Sequence, residues 1–154
     1  MIVHPQNNFM AIEPQLVARL EQLLADEVPK VTVKTAADLA DVAEGKQVVP
    51  AVYVIYGRYR VLESRSDGAQ SRLVHTWLVV SAVRNVANQR EGAAARAEAS
   101  ALQGKAGAAL MGFRPDGAAG PLVLAEAPAP KYAAGFQYLP LAFTVETHFH
   151  KSQS

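Results

Sequence analysis

Residues 48–83 contain two long runs of bulky apolar residues separated by a short polar segment, and this pattern restricts the possible fold most strongly. The segment reads VVPAVYVIYGRYRVLESRSDGAQSRLVHTWLVVSAV, with Ser66, Asp67 and Gly68 where a turn is expected. β-branched and aromatic residues on both sides of a polar turn predict a β-hairpin. Near the end of the second run both alternating sets of positions are apolar, so this strand must be covered on both faces.

The part of the hairpin nearest the turn is much more polar. Arg58, Arg60, Arg65 and Arg72 lie there, between two strongly apolar strands. A segment that buries little apolar area is weakly held. We therefore expect residues 58–72 to form a mobile tip that projects from the isolated chain.

Helical and strand periodicities flank the hairpin. An amphipathic helix is predicted from about Glu13 to Ala25, with Pro14 in its first turn. The sequence KVTVKT predicts a short strand, and AADLADVA predicts a second short helix that ends at Gly45. The apolar face of the first helix is predicted to contain Leu16, Leu20, Leu23 and Leu24.

An Ala-rich helix is predicted after the hairpin, followed by a strand at LVLAEA and a last strand in LPLAFTVETHF. Small side chains permit close approach of a helix to a bulky sheet surface. In the last strand Pro140 favours an edge or strand-start position. The inward face of the helix is predicted to contain Ala95, Ala99, Leu102, Ala106, Ala109 and Leu110, with Arg96, Ser100 and Gln103 opposite. The inward face of the last strand is predicted to contain Leu139, Leu141, Phe143, Val145 and Phe149.

These elements predict one α+β domain over residues 1–154, with a mainly antiparallel sheet, a long central hairpin and flanking helices. Residues 148–154 are a candidate disordered tail. No apolar run reaches the roughly 18 residues of a membrane helix. The first residues lack a secretory signal pattern, so a soluble protein without a membrane partner is expected.

Charge and cysteine content exclude several classes of function. Fifteen Lys and Arg residues face fourteen Asp and Glu residues, whereas proteins that grip nucleic acid carry a basic surplus. The absence of cysteine excludes disulfides, thiolate nucleophiles and cysteine-ligated zinc. Residues 1–50 contain seven acidic residues, and all seven basic residues within 51–100 are arginine. Because arginine pairs bidentately with carboxylates, this middle segment indicates either a contact surface or a solvated face.

Two stretches resemble parts of chemical sites, and both are incomplete. The sequence ASALQGKA has Ala99 and Ala106 where a phosphate-binding loop requires Gly and Ser or Thr. Glu146, His148 and His150 alternate along the last strand, but a metal site there needs further ligands. We therefore predict no catalytic residue, metal site or cofactor.

The order of these segments resembles the small tail terminator proteins of long-tailed bacteriophages, particularly the group in Mu-like phages and prophages. The resemblance covers nearly the whole chain. Its most specific parts are the strand entry at Pro50–Val52, the Trp77 strand that ends in Arg84 and Asn85, and the loop GFRP at 112–115.

This resemblance implies a structural virion protein of the tail or neck, assembled in the bacterial cytoplasm. Such a protein forms a hexameric ring on the head-proximal end of the tail tube, stops its elongation and provides a surface for head joining. The implied partners are further copies of the chain, the tail tube protein, the head-side connector and, in a contractile tail, the sheath protein. DNA passes through the lumen without specific binding, which the formal net charge of +1 favours.

The arginine-rich segment supplies the candidate subunit or partner interface, opposite the acidic first third of a neighbouring copy. Another head–tail connector protein remains an alternative, and a small hydrolase using Glu146 and a histidine is a third interpretation. The candidate interface residues are Arg58, Tyr59, Arg60, Arg65, Arg72 and Arg84.

Overall fold

The computed structural model describes residues 2–36, 49–84, 89–133 and 135–153. Two short 3-10 segments, Pro5–Asn7 and Phe9–Ile12, precede helix α1 at Glu13–Leu23. A long helix, α2, spans Gln89–Leu110. The second helix predicted from the sequence falls largely on residues 37–48, outside the described residues. The strands are β1 Thr32–Thr35, β2 Ala51–Ser64, β3 Gln70–Arg84, β4 Val123–Ala125, β5 Lys131–Ala133 and β6 Phe136–His150.

These strands form one sheet in the order β1-β2-β3-β6-β4, and β5 also pairs with β6. Among the pairs formed by the described strands, β1–β2 alone is parallel. β3 and β6 pair from Gln70 opposite His150 to Arg84 opposite Phe136, so they form the centre of the sheet. The predicted α+β fold with a mainly antiparallel sheet and a central hairpin is confirmed.

Helices α1 and α2 cover one face of this sheet, here called the helix-covered face. Trp77 lies at its centre and is fully buried. Ala99 and Ala106 of α2 are also fully buried, and a Cβ atom built on Gly107 would lie 2.7 Å from Leu141 Cδ1. The small residues of α2 are therefore what allow this helix to approach the bulky sheet surface closely.

The opposite face of the sheet, here called the second face, is apolar near the start of β2. Ala51, Tyr53 and Ala82 are fully buried there, with Ile55 and Val80 packed against them. This confirms the expectation that β3 is covered on both sides near its end.

Two details differ from the periodicity-based expectations. In α1 the buried stripe follows the i, i+4 spacing of Leu16, Leu20 and Leu24, which leaves Leu23 at its border and 51% exposed. Gln103 was expected to face away from the sheet, but its amide donates a hydrogen bond to the Pro140 carbonyl at 3.2 Å. Its side chain is long enough to reach around the helix.

Pro140 occupies a local edge within a long strand. It lies inside β6, opposite Val80 of β3, between the segments that pair with β4 and β5. Its carbonyl accepts from Gln103 and neither β4 nor β5 pairs with it, so the missing N–H of this proline costs no ladder bond on that side.

Candidate assembly surface

A β-bulge at Gly57 sets the direction of the side chains toward the hairpin turn. The register between β2 and β3 shifts between Tyr56 and Arg58, and a Cβ atom on Gly57 would lie 3.0 Å from the Thr76 carbonyl oxygen. Bulges re-aim the residues that follow them. Arg58 and Arg60, opposite Thr76 and Val74, therefore lie on the second face, whereas Tyr59 lies on the helix-covered face.

Arg58 and Arg60 are two neighbouring cations on an exposed part of β2, and neither has an ion-pair partner among the described residues. Both side chains are exposed, and no hydrogen bond or ion pair joins either of them to the rest of the described chain. Two like charges on one strand face, two residues apart, are poised for acidic groups from outside the chain.

The other three candidate arginines are satisfied within the chain. Arg65 binds Asp67 at 2.8 Å in the turn, and Arg72 lies 3.3 Å from Glu63 and 3.5 Å from Glu146. The guanidinium of Arg84 lies 5.8 Å from the ring centroid of Phe136 at the opposite end of β3. The structure thus brings Arg58, Arg60 and Arg72 to one face of the tip and places Arg84 elsewhere.

Tyr59 contributes to an apolar patch on the helix-covered face of the tip. The ring of Phe9 packs on Tyr59 and Phe149, with centroid distances of 5.4 and 5.8 Å. Tyr59, Val61 and Phe149 remain 52%, 52% and 42% exposed. The tip is therefore amphipathic, with an apolar flank on one side and arginines on the other.

A buried polar network underlies this flank. His75, which is 1% exposed, lies between the Tyr56 hydroxyl, 2.9 Å from Nδ1, and the Thr147 hydroxyl, 2.7 Å from Nε2. Phe9 closes the network from above, with its ring centroid 4.4 Å from that of His75. Burial lowers the pKa of His75 to about 4, so this imidazole is neutral at pH 7.

The segment before α1 binds the end of β6 through side chains. Gln6 Oε1 accepts from the His148 N–H at 2.6 Å, and Asn7 exchanges two hydrogen bonds of 2.8 Å with the backbone of His150. The His4 ring stacks on His150 at 4.0 Å. Desolvation lowers the pKa of His150, and the neighbouring His4 and His148 lower it further.

The sequence did not indicate Phe9, Gln6 or Asn7 as partners of the hairpin. Phe9 lies in the helix-preceding segment, more than sixty residues from His75 and more than a hundred from Phe149. No local periodicity relates residues so far apart. The run of amide side chains before α1 was the available signal, since such side chains can replace strand hydrogen bonds at an edge.

Acidic side chains of the first third lie in the helix layer, away from the arginine pair. Glu21 on α1 and Asp26 just beyond it are exposed, and no ion pair is formed by either within the described ranges. Glu27 pairs with Lys105 of α2 at 2.6 Å. Asp38, Asp41 and Glu44 fall outside the described residues.

Residues of the two incomplete chemical motifs form ion pairs within the fold. Lys105 of the loop-like sequence lies within α2 and pairs with Glu27, while Glu146 pairs with Arg72. In the described residues no cluster of three or more His, Asp or Glu side chains has the arrangement of a metal site. No helix within those ranges combines the length and apolarity needed to cross a membrane.

The fold and surface describe a small α+β protein whose distinctive exposed feature is an amphipathic hairpin tip. The family model described as "Phage tail terminator protein" matches residues 8–154, and the chain belongs to this family. A search of the curated proteins finds no match. The Mu-like subgroup stays a prediction.

One solved structure shows the same fold at low identity. A chain from the virion of a native gene transfer agent particle is 19% identical, with a TM-score of 0.51, over 86% of this chain and 94% of that chain. A second solved chain is 14% identical over 94% and 99% of the two chains, with a TM-score of 0.44.

Family membership defines the class of function. The protein is a structural component of the phage virion tail and not an enzyme, so the hydrolase interpretation is wrong. As a tail terminator it associates with other tail and head proteins.

Proposed function

We propose that this protein closes the head-proximal end of the tail tube as a hexameric ring, stops tube elongation and presents the surface to which the head-side connector binds. In a contractile tail the same ring contacts the last sheath ring. The observation that carries the proposal is that Arg58 and Arg60 are exposed on β2 near the hairpin turn and have no ion-pair partner within the described chain.

The arrangement of charges supports a head-to-tail contact between copies. Arg58 and Arg60 lie on the second face, whereas Glu21 and Asp26 lie in the helix layer that covers the other face. A contact between two different surfaces of one subunit generates a ring when the rotation closes. Each subunit then contacts one neighbour through its arginines and the other neighbour through its acidic helix layer.

Near-neutral charge supports passage of DNA through such a ring. The logarithm of a DNA-binding constant falls linearly with the logarithm of the salt concentration, and each phosphate contact adds about 0.9 to that slope. A ring repeats every such contact in each subunit. A formal net charge of +1 per chain, with Arg65 and Arg72 of the tip held in ion pairs, avoids a lumen that retains the genome.

The test is a double charge reversal, Arg58→Glu with Arg60→Glu, in a phage whose own copy is deleted. The fold should be kept because neither side chain contacts the described core, while tails become irregular and overlong and fail to join heads. Electron microscopy measures tail length, and circular dichroism checks folding. The matched control is Arg96→Glu with Arg114→Glu, which makes the same charge change at exposed positions away from the tip.

Two outcomes contradict the proposal at different levels. Normal, head-joined tails with the doubly reversed tip would exclude this interface but leave the terminating function in place. Tails of normal length in the uncomplemented deletion would exclude the terminating function itself.

A further inference from the structure

The outer edge of β2 is unpaired over most of its length. β1 pairs only with Ala51–Val54, and no other strand of the described residues pairs with β2 on that side. Residues 57–61 are all exposed, and no strand of the described ranges pairs with them on that side. Such an edge presents free N–H and C=O groups that can pair with another strand.

β4 forms the opposite edge of the same sheet. Its inner side pairs with β6, and its outer side has no strand partner in the part of the chain that the structure describes. Val123 and Leu124 are 55% and 48% exposed. Two exposed apolar side chains on a three-residue edge strand are unusual on a surface that meets only water.

The two edges match in direction and in level. β2, β3, β6 and β4 are successively antiparallel, so β4 runs opposite to β2. Cross-strand partners connect Val123 to Thr144, Thr144 to Thr76, and Thr76 to Arg58. The β4 edge therefore lies level with the part of β2 around Arg58.

We propose that β4 of one copy pairs in antiparallel fashion with the free edge of β2 in the next copy, so that one sheet continues from subunit to subunit. This inference rests on the proposed ring. Rotation about an axis along the strands keeps every strand direction, so β2 meets a neighbour's β4 antiparallel at every interface.

The side chains on both faces agree with this pairing. Leu124, opposite Phe143, lies on the helix-covered face, where it meets the exposed apolar flank at Tyr59. Val123 lies on the second face, beside the aliphatic stems of Arg58 and Arg60, whose charged ends stay free for acidic partners. The bulge at Gly57 and the two arginines limit unspecific pairing of the edge before assembly.

The short length of β4 predicts a contact that forms only within the assembly. Three residues provide few strand hydrogen bonds, so two free copies should pair weakly. Copies already seated on a tail tube raise each other's effective concentration, and closure of the ring adds a contact.

Engineered cysteines test the pairing, because the chain contains no cysteine of its own that could form other disulfides. Directly opposed residues of antiparallel strands have Cα atoms about 4.5–5.5 Å apart, within the range of disulfides. The variants are Val123→Cys combined with Arg58→Cys or with Arg60→Cys, bound to purified tail tubes and oxidised. The matched controls carry Leu124→Cys in place of Val123→Cys, because the side chain of residue 124 lies on the other face of the sheet.

At least one Val123 pair should give a ladder of cross-linked multimers on a non-reducing gel, at least fivefold above its Leu124 control. Cross-linking at the control level in both pairs, on tubes that carry the protein, would overturn the inter-subunit sheet and leave the terminating function standing. Hydrogen exchange of the unmodified protein gives a second readout, in which tube binding should protect both Ile55–Val61 and Val123–Ala125. Unchanged exchange in either segment overturns the sheet, and failure of the unmodified protein to bind tubes overturns the proposed function together with it.

Discussion

Acidification should destabilise this fold through His75. Burial lowers its pKa to about 4 in the folded chain, whereas an unfolded chain has the ordinary histidine value of 6.5. Between these values the unfolded chain binds a proton that the folded chain does not. The contribution of His75 to stability is therefore complete above pH 6.5 and is lost as the pH falls toward 4.

The size of this effect follows from the two pKa values. A tenfold change in proton affinity corresponds to about 1.4 kcal/mol, so the loss between pH 7.5 and pH 5 is about 2 kcal/mol and approaches about 3 kcal/mol near pH 4. The geometry gives the cause, since the ring lies beneath Phe9 with Tyr56 and Thr147 hydroxyls at its two nitrogens.

Urea denaturation at pH 7.5 and pH 5 measures this loss, with the fluorescence of Trp77 as the signal. It is the single tryptophan of the chain and is fully buried, so unfolding changes its environment. His75→Gln is the comparison, because it removes this titrating group and leaves every other ionisable group of the chain in place. The free energy of unfolding should fall by about 2 kcal/mol more in the unmodified protein than in the variant. An equal fall in both proteins would refute this reasoning.

Three further predictions concern stability. Ala106→Leu should lower the free energy of unfolding by about 1–3 kcal/mol, because the closely packed helix face has no room for a larger side chain, whereas Ser100→Leu on the exposed side of α2 should change it much less. Gly57→Val should cost about 1–3 kcal/mol because even a Cβ atom lies only 3.0 Å from the Thr76 carbonyl oxygen. Arg72→Ala should cost less than about 1 kcal/mol, since its ion pairs are solvent-exposed. Urea denaturation measures all three, and a reversed order of Ala106→Leu and Ser100→Leu would contradict the packing of α2.

Local patterns were sufficient to predict the central hairpin, α1, α2 and β6, but not the short strand β5 at Lys131–Ala133, in a segment whose Pro and Gly content predicts a loop. The alternation of apolar residues and the polar turn located the hairpin, whose turn is closed by a hydrogen bond from the Arg65 N–H to the Gln70 carbonyl. The run of small residues predicted a helix that lies close to the sheet, and the buried Ala99 and Ala106 confirm it. These signals depend on neighbours within one or two turns of chain, which a sequence displays directly.

Pairings between distant segments were not predictable in this way. The bulge at Gly57 decides which residues face the helices, and no periodicity shows a one-residue shift of register. Arg72 was grouped with the free arginines, but the pairing of β3 with both neighbours places it beside Glu63 and Glu146. Of the arginines at the tip, which composition grouped as one surface, Arg58 and Arg60 are therefore the two without an ion-pair partner in the described residues.

The most direct test of the proposed function is cryo-electron microscopy of tail tubes incubated with the purified protein. We expect one closed ring of six copies on the head-proximal end of each tube, with the tip that carries Arg58 and Arg60 at every boundary between subunits. Tubes with bare ends, or protein bound along their sides without a closed ring, would contradict the proposal that this chain terminates the tail as a hexameric ring.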